Sequence, residues 1–262
     1  MAILGCFTVE RPMLGIAAIA DALGMSRSTT HRYVTTLQAL GYLVQDGSRK
    51  YRLALSVTTL GMEALNSMAI GEHARPYLEA LHQRTSYTTS LAILDGSEIR
   101  YIERLVSTRR HRQKSTLAIK RGAALPAQTT ALGKLLLANL PDAELASRLR
   151  EIAPKKCGPN TIMSKSALRA ELNFIRHEGL ATDDEESEAG LCAIAAPIRN
   201  TNDVVAAIDL VAPKATIALP DLLSALGPHL VATADNISAR LGWRLKTYPT
   251  ALDAVNGELL LR

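Results

Sequence analysis

The apolar positions between Gly15 and Leu55 fall into three successive patterns. Ile16, Ile19, Ala20 and Leu23 recur at helical spacing, which predicts a short helix with one apolar face. Gly24 ends it, because glycine accepts the left-handed conformation of a tight turn without a Cβ clash. Met25 fills the corner, and Ser26 is placed to cap a second helix through its hydroxyl. That helix is expected to run to about Leu40, with Val34, Leu37 and Leu40 facing inward. Its first turns then present Arg27, Ser28, Thr29, His31 and Arg32 to solvent. Tyr42 to Gln45 reads as a strand, Asp46-Gly47 as a hairpin signal, and Tyr51 to Leu55 as the returning strand. Ser48, Arg49 and Lys50 fall at or beside the tip. Arginine can read guanine in the major groove, serine or threonine can reach base edges or phosphates, and a basic hairpin tip can touch the backbone. An ordinary helical hairpin with a solvated ribbon is the plainer reading. The order of small residue, glycine, polar helix start and basic hairpin favours a winged helix-turn-helix that binds DNA.

Beyond the wing, Val57, Leu60, Ala64, Leu65 and Met68 continue at helical spacing and predict a linker helix, either a dimer contact or a helix packed on its own chain. Ala74, Tyr77, Leu78 and Leu81 mark an amphipathic helix. Thr88 to Leu94, Asp95-Gly96 and Glu98 to Val106 read as a β-hairpin. Helices are expected over Thr129–Asn139, Asp142–Ile152 and Ser164–Glu178, the last capped by Ser164. Strands are expected over Leu180–Asp183, Cys192–Arg199 and Val204–Pro213. Pro220 to Leu245 reads as a long helix with a possible break at Gly227-Pro228. The fold class is α+β with a mainly antiparallel sheet. The expected divisions are a winged helix-turn-helix over 1–56, a linker helix over 57–71, a second domain over 72–246 and a tail over 247–262. Met1 to Thr8 leaves room for about two helical turns, so either the first helix is trimmed or the true start lies upstream.

With 262 residues, 47% of them hydrophobic, the chain can bury a real core. Aromatic residues make up only 4%, which argues against a stacking platform for single strands. The net charge of +5 suits a nucleic-acid partner without requiring one. Cys6, Cys157 and Cys192 have no paired spacing, so neither a disulfide framework nor a zinc site is expected. No signal peptide or long apolar run is visible, and a soluble cytoplasmic protein is the default. No metal and no cofactor are expected. Enzyme chemistry is not expected either, since G-x-S-x-G and glycine-rich phosphate-loop motifs are absent and only His31 among the histidines lies in a functional motif.

Three features of the second half bear on ligands. The segment Thr129-Thr130-Ala131-Leu132-Gly133 opens a helix, whose N–H groups can hold a carboxylate or simply be capped. The acidic run Asp183, Asp184, Glu185, Glu186, Glu188 cannot converge on a metal from one strand, so it reads as a solvated loop. The basic residues Arg100, Arg104, Arg109, Arg110, Arg112, Lys114, Lys120 and Arg121 form the densest positive stretch. It is a solvated loop, the counter-charge for an acid with Arg104 most central, or a contact to DNA or a neighbouring subunit.

The stretches SRSTTHRYVTTLQALGYL, GAALPAQTTALGKLLLA and EGLATDDEESEAGLCAIAAPI resemble three successive signatures of the IclR family of bacterial transcription regulators, and the likeness runs from about Cys6 to Arg244. RYIERLVSTRR, with Gly41-Tyr42-Leu43, also resembles the subgroup that controls aromatic-acid catabolism through the β-ketoadipate pathway. The resemblance implies a GAF-like effector domain for small organic acids, a homodimer or dimer of dimers, and a roughly palindromic double-stranded operator. It places the recognition motif on Ser26 to Tyr33, so the implied DNA-binding residues are Ser26, Arg27, Ser28, Thr29, His31, Arg32 and Tyr33, with Arg49 and Lys50 from the wing. It implies Ala131, Leu132, Asp183, Ala193, Asp209 and Val211 around the effector, with Arg104 as a counter-charge. Three positions depart from the family pattern. Thr30 stands where relatives commonly have valine and needs a hydroxyl partner. Ala193 stands where many have cysteine, with Cys192 before it facing the other way. Asp209 stands where some have a small hydroxyl residue, and its carboxylate repels an acid ligand unless a base or a proton compensates.

The expected function is therefore a ligand-responsive DNA-binding regulator, repressor or activator, of aromatic or other small organic acid catabolism. The rivals are an enzyme with a GAF-like domain, for which Cys192 is the candidate reactive residue, and a ligand-free interaction protein.

Overall fold

The computed structural model describes residues 1–66, 69–107 and 119–243. They form two compact units, Met1–Met68 and Ala69–Arg262.

The first unit contains α1 (Ala2–Gly5), α2 (Ile16–Leu23), α3 (Arg27–Ala39), β1 (Leu43–Gln45), β2 (Tyr51–Leu53) and α4 (Ser56–Asn66). Gly24 closes α2 at φ 61°, in the left-handed region that only glycine occupies cheaply. Ser26 then caps α3, its Oγ accepting the Thr29 N–H at 3.2 Å. Ile19, Val34, Leu43 and Tyr51 meet in a small core that Ile3 and Phe7 of the N-terminal segment complete. Buried Thr30 donates its hydroxyl to the Ser26 carbonyl at 3.0 Å, one turn back, which is why a hydroxyl is tolerated there.

One local expectation fails. Leu40 does not face inward but is 62% exposed, because α3 ends at Ala39 and Gly41, at φ 76°, turns the chain away. The wing hairpin forms as expected, with Asp46-Gly47 opening its loop. Gln45 pairs with Tyr51, and the intervening loop is closed by the Asp46 N–H on the Lys50 carbonyl, with Arg49 as its left-handed residue. The Asp46 carboxylate organises that loop by accepting from the Ser48 and Lys50 N–H groups. In α4, Val57 is half-buried and Leu60 exposed. Met68 and the side chains of Ala64 and Leu65 lie outside the described residues.

The second unit contains α5 (Ala69–Thr85), β3 (Thr88–Asp95), β4 (Glu98–Leu105), β5 (Ala124–Pro126), α6 (Ala131–Ala138), α7 (Asp142–Glu151), α8 (Lys165–Glu178), β6 (Ala181–Asp184), β7 (Leu191–Arg199), β8 (Val204–Pro213) and α9 (Leu219–Arg240). The strands form one antiparallel sheet in the order β5-β4-β3-β8-β7-β6. Helices α5 and α9 pack on one face; α6 packs on the other, with α8 against it. The short edge strand β5 was not anticipated, since three residues ending in proline carry no alternation to read. Helix α9 passes through Pro228 without a break and ends at Arg240.

Alanines at 92, 193, 195 and 207 line the sheet face under α6, and they let the helix come close. A Cβ built on Gly133 of α6 would lie 2.2 Å from the Ala127 carbonyl oxygen and 2.4 Å from its Cα. Alanine is the better helix former by about 1 kcal/mol, but the atoms it would strike are backbone and cannot rotate aside. Gly133→Ala is therefore expected to destabilise the protein by roughly 2 kcal/mol or more, read as a lowered denaturation midpoint.

Candidate functional site

The exposed surface of α3 carries Arg27, Ser28, Thr29, His31, Arg32 and Tyr33 on consecutive turns. The Ser26 hydroxyl donates to Thr29 Oγ1 at 2.8 Å and lies 3.1 Å from Ser28 Oγ, so these three hydroxyls form one patch at the helix start. Among the described residues no ion pair engages Arg27 or Arg32. Arg49 and Lys50 are exposed in the wing loop, which the buttressing of Asp46 holds in shape. Hydrogen bonds, chiefly from the Ser48 hydroxyl, hold the Asp46 carboxyl below its usual range, so the buttress stays ionised near neutrality. A rigid helix start rich in donors, beside a basic hairpin, matches what major-groove reading with backbone contact demands.

The second unit encloses a cavity of about 220 Å³ between the sheet and the start of α6. Arg104, Ala131, Asp183, Ala193, Asp209 and Val211 all line it, as do Tyr101, Thr130 and Glu188. Leu132 does not: it is fully buried in the core. Register explains the convergence. Ser90 pairs with Asp209 on one side and Arg104 on the other, while Ala193 pairs with both Val211 and Asp183. Directly paired residues share a face. Tyr101 and Arg104 are three apart and would ordinarily point oppositely. The bulge between Leu91 and Ala92 skips Ile102 and brings both to the cavity side.

Arg104 Nη1 donates to Ser90 Oγ at 2.8 Å, and its guanidinium lies 5.1 Å from the Tyr101 ring centroid. Asp209 is 3% exposed. Burial pushes its carboxyl up to about 7, against the pull of Arg104 and Ser90. At the α6 start, Thr130 Oγ1 accepts the Gly133 N–H at 3.0 Å. The Ala131 and Leu132 N–H groups, as the first two of the helix, have no intrahelical acceptor.

The acidic run is not the solvated loop expected from its charge. Asp183 is buried and accepts from the Glu186 and Ser187 N–H groups and the Ser187 hydroxyl, so it ties the turn that walls the cavity. Burial still leaves its carboxyl above the usual range. Lys214 pairs with Asp184 at 2.8 Å and Glu185 at 2.7 Å. Glu186 pairs at 2.5 Å with Lys134, which is completely buried and also reaches Glu171 at 3.3 Å. Burial raises Glu186 to about 7 despite that partner. Sequence reading passed over Lys134, although a lone lysine inside TALGKLLLAN was the signal for a buried ion pair.

The basic stretch disperses. Arg100 pairs with Asp95 and Arg121 with Glu103, leaving Arg104 at the cavity. Arg109, Arg110, Arg112 and Lys114 lie outside the described residues. Cys192 is buried on the opposite sheet face from Ala193, beside the Ala212 and Ile217 carbonyls, and burial pushes its thiol up to about 11. That is poor chemistry for a nucleophile. Among the described residues no group of side chains could hold a metal ion, and no helix is long and apolar enough to cross a membrane.

Removing Lys134 leaves Glu186 buried without its cation. Lys134→Met is expected to cost about 3 kcal/mol at pH 8. The deficit should shrink at pH 5.5, because Glu186 can then protonate rather than stay buried as an anion. Urea unfolding at the two pH values checks the difference, and an equal deficit at both refutes the ionic origin.

Comparison with known proteins agrees with this geometry. Residues 1–47 match the IclR helix-turn-helix domain, and residues 62–239 match the bacterial transcriptional regulator IclR C-terminal domain. The chain is 36% identical to the HTH-type transcriptional regulator XynR of Escherichia coli, over 79% of this chain and 82% of that protein. It is 29% identical to the Pca regulon regulatory protein of Pseudomonas putida, over 92% and 82% respectively. An IclR homologue from Microbacterium hydrocarbonoxydans, solved with 4-hydroxybenzoate, superposes with a TM-score of 0.72 at 26% identity, over 92% of this chain and 96% of that one. With both halves matched in order, and a helix-turn-helix and a sheet-and-helix cavity unit found where those halves fall, the chain belongs to the IclR family of DNA-binding transcriptional regulators.

Proposed function

We propose that the protein is switched by a small organic acid bound in the cavity beside α6, and that it controls the catabolism of an aromatic or related acid. The observation that carries this is the cavity wall: a guanidinium, Arg104, and the start of α6 at Thr130 and Ala131 line one small, largely apolar space. Both favour an anion, the helix end through its dipole and unpaired N–H groups. The relatives support the aromatic class, since one is named for the Pca regulon and one was solved with 4-hydroxybenzoate. The effector residues are Arg104, Ala131, Asp183, Ala193, Asp209 and Val211. The linker helix 57–71 joins two copies into a homodimer, which can pair again into a dimer of dimers. Two α3 helices then read successive half-sites of a rough palindrome, spaced by a whole number of DNA turns. Bound acid can shift the DNA-competent population only by its differential affinity for the two states.

The enzyme reading loses its one candidate in the inert Cys192. A thermal-shift panel of benzoate, 4-hydroxybenzoate, protocatechuate, pyruvate and glyoxylate separates the remaining rival. At least one acid should raise the melting temperature, and no shift with any of them supports a ligand-free interaction protein.

On DNA, Arg27→Ala and Arg32→Ala should each weaken operator binding by about 1–3 kcal/mol while leaving the melting temperature unchanged. Parental affinity in both variants would refute the recognition-helix assignment. Arg49→Ala or Lys50→Ala should weaken binding to all sequences alike and flatten the salt dependence by about one unit of slope per lost phosphate contact. A gel-shift salt series with an unchanged slope would refute the wing contact.

A further inference from the structure

Among the described residues, the charged groups lining the cavity do not balance for an acid. Its described lining holds one guanidinium, Arg104, and three carboxyl groups, Asp183, Glu188 and Asp209. Arg104 is already engaged with Ser90 and set over Tyr101. Asp183 is spoken for by the turn it ties. Asp209 differs from both: it is almost wholly buried, and among the described residues its Oδ1 has no hydrogen-bond partner. A buried carboxyl oxygen without a donor is costly when charged, and two carboxylates brought together out of water cannot both stay ionised.

We propose that Asp209 is a specificity-determining residue that holds a proton in the complex, so that the cavity takes a small monocarboxylate together with one proton and rejects dicarboxylates and amines. This rests on the reading of the cavity as an acid site. The protonated carboxyl donates its O–H to the ligand carboxylate, while Arg104 and the α6 N–H groups supply the positive field. Asp209, on β8, faces Arg104 and Tyr101 from β4, Ser90 from β3, Asp183 from β6, Glu188 from the turn after β6, and the N-terminus of α6. Lys134 acts from α6 on Asp183 and is itself paired with Glu186. Among these described groups Ser90 offers Asp209 hydrogen bonds but only Arg104 offers it a counter-charge, and Arg104 cannot neutralise both Asp209 and an arriving carboxylate. Burial already holds Asp209 near pH 7, so an added anion drives proton uptake at pH 8. A second ligand carboxylate would need a second proton or cation, and an amine would need Asp209 ionised.

Calorimetric titration of the full chain tests this. Benzoate, 4-hydroxybenzoate, pyruvate, terephthalate and 4-hydroxybenzylamine are titrated between pH 6 and 8.5, in phosphate and in Tris, whose ionisation enthalpies differ. For monocarboxylates the apparent enthalpy should differ between buffers by about one proton's worth at pH 8. Their affinity should fall toward about tenfold per pH unit above Asp209's midpoint, as proton linkage requires. In Asp209→Asn, a near-isosteric donor, both effects should vanish, and affinity at pH 8 should exceed that of the parent. Monocarboxylate binding without proton uptake overturns the proposal, and that measurement needs no variant. A slope that persists in Asp209→Asn overturns it by moving the proton to Asp183 or Glu186. Tighter binding of terephthalate or the amine also overturns it. If no acid binds parent or variant at any pH, the acid-site reading falls, and the proposal with it.

Discussion

Helix α6 folds back so closely on the Ala127 backbone of the turn before it that Gly133 has no space for a side-chain carbon, and it lies on an alanine-lined sheet face around which the second unit is arranged. The approach is made possible by alanines on β3, β7 and β8, which keep the opposing surface low. It buries every residue of α6, including a lysine. A lysine in that position must have a carboxylate brought to it, and Glu186 comes from the turn that also closes the cavity. The shape of the ligand space and the ion pair behind it thus follow from one packing decision. The same turn is held again by Asp183, by the Thr161 hydroxyl on the Glu186 carbonyl at 2.6 Å, and by Lys214 from beyond β8.

The first unit solves a smaller problem with fewer parts. Its core is a handful of side chains, and its precision comes from local hydrogen bonds. Ser26 caps α3, Thr30 returns its hydroxyl to the same residue's carbonyl, and Asp46 fixes the wing loop. Two of these, the Ser26 cap and the Asp46 contacts, satisfy backbone N–H groups that short elements leave open. They also hold the residues proposed to meet DNA without covering them.

Much of this was legible in the sequence because it is local. Gly24, Ser26 and Asp95-Gly96 dictate turns and caps through their own conformations, and apolar periodicity located most helices and strands. Leu40 went astray for an equally local reason. A left-handed Gly41 ends the inward face one residue early. The strand β5 was invisible because its pairing partner, not its composition, makes it a strand.

The cavity was legible by residue type but not by state. A run of acidic residues reads as solvated on statistics alone, and only the fold reveals that Lys134 and Lys214 meet it. The bulge that turns both Tyr101 and Arg104 inward leaves no mark in the sequence, since it depends on the register against β3. Asp209 was noticed as an obstacle to an acid ligand, and the fold changes what kind of obstacle it is. Set beside Ser90 and Arg104 and sealed from water, it can be accommodated by a proton instead of a second cation. A serine or threonine at that position would donate a hydrogen bond at any pH. An aspartate donates only when protonated, so this chain would answer to acidity as well as to the concentration of its ligand.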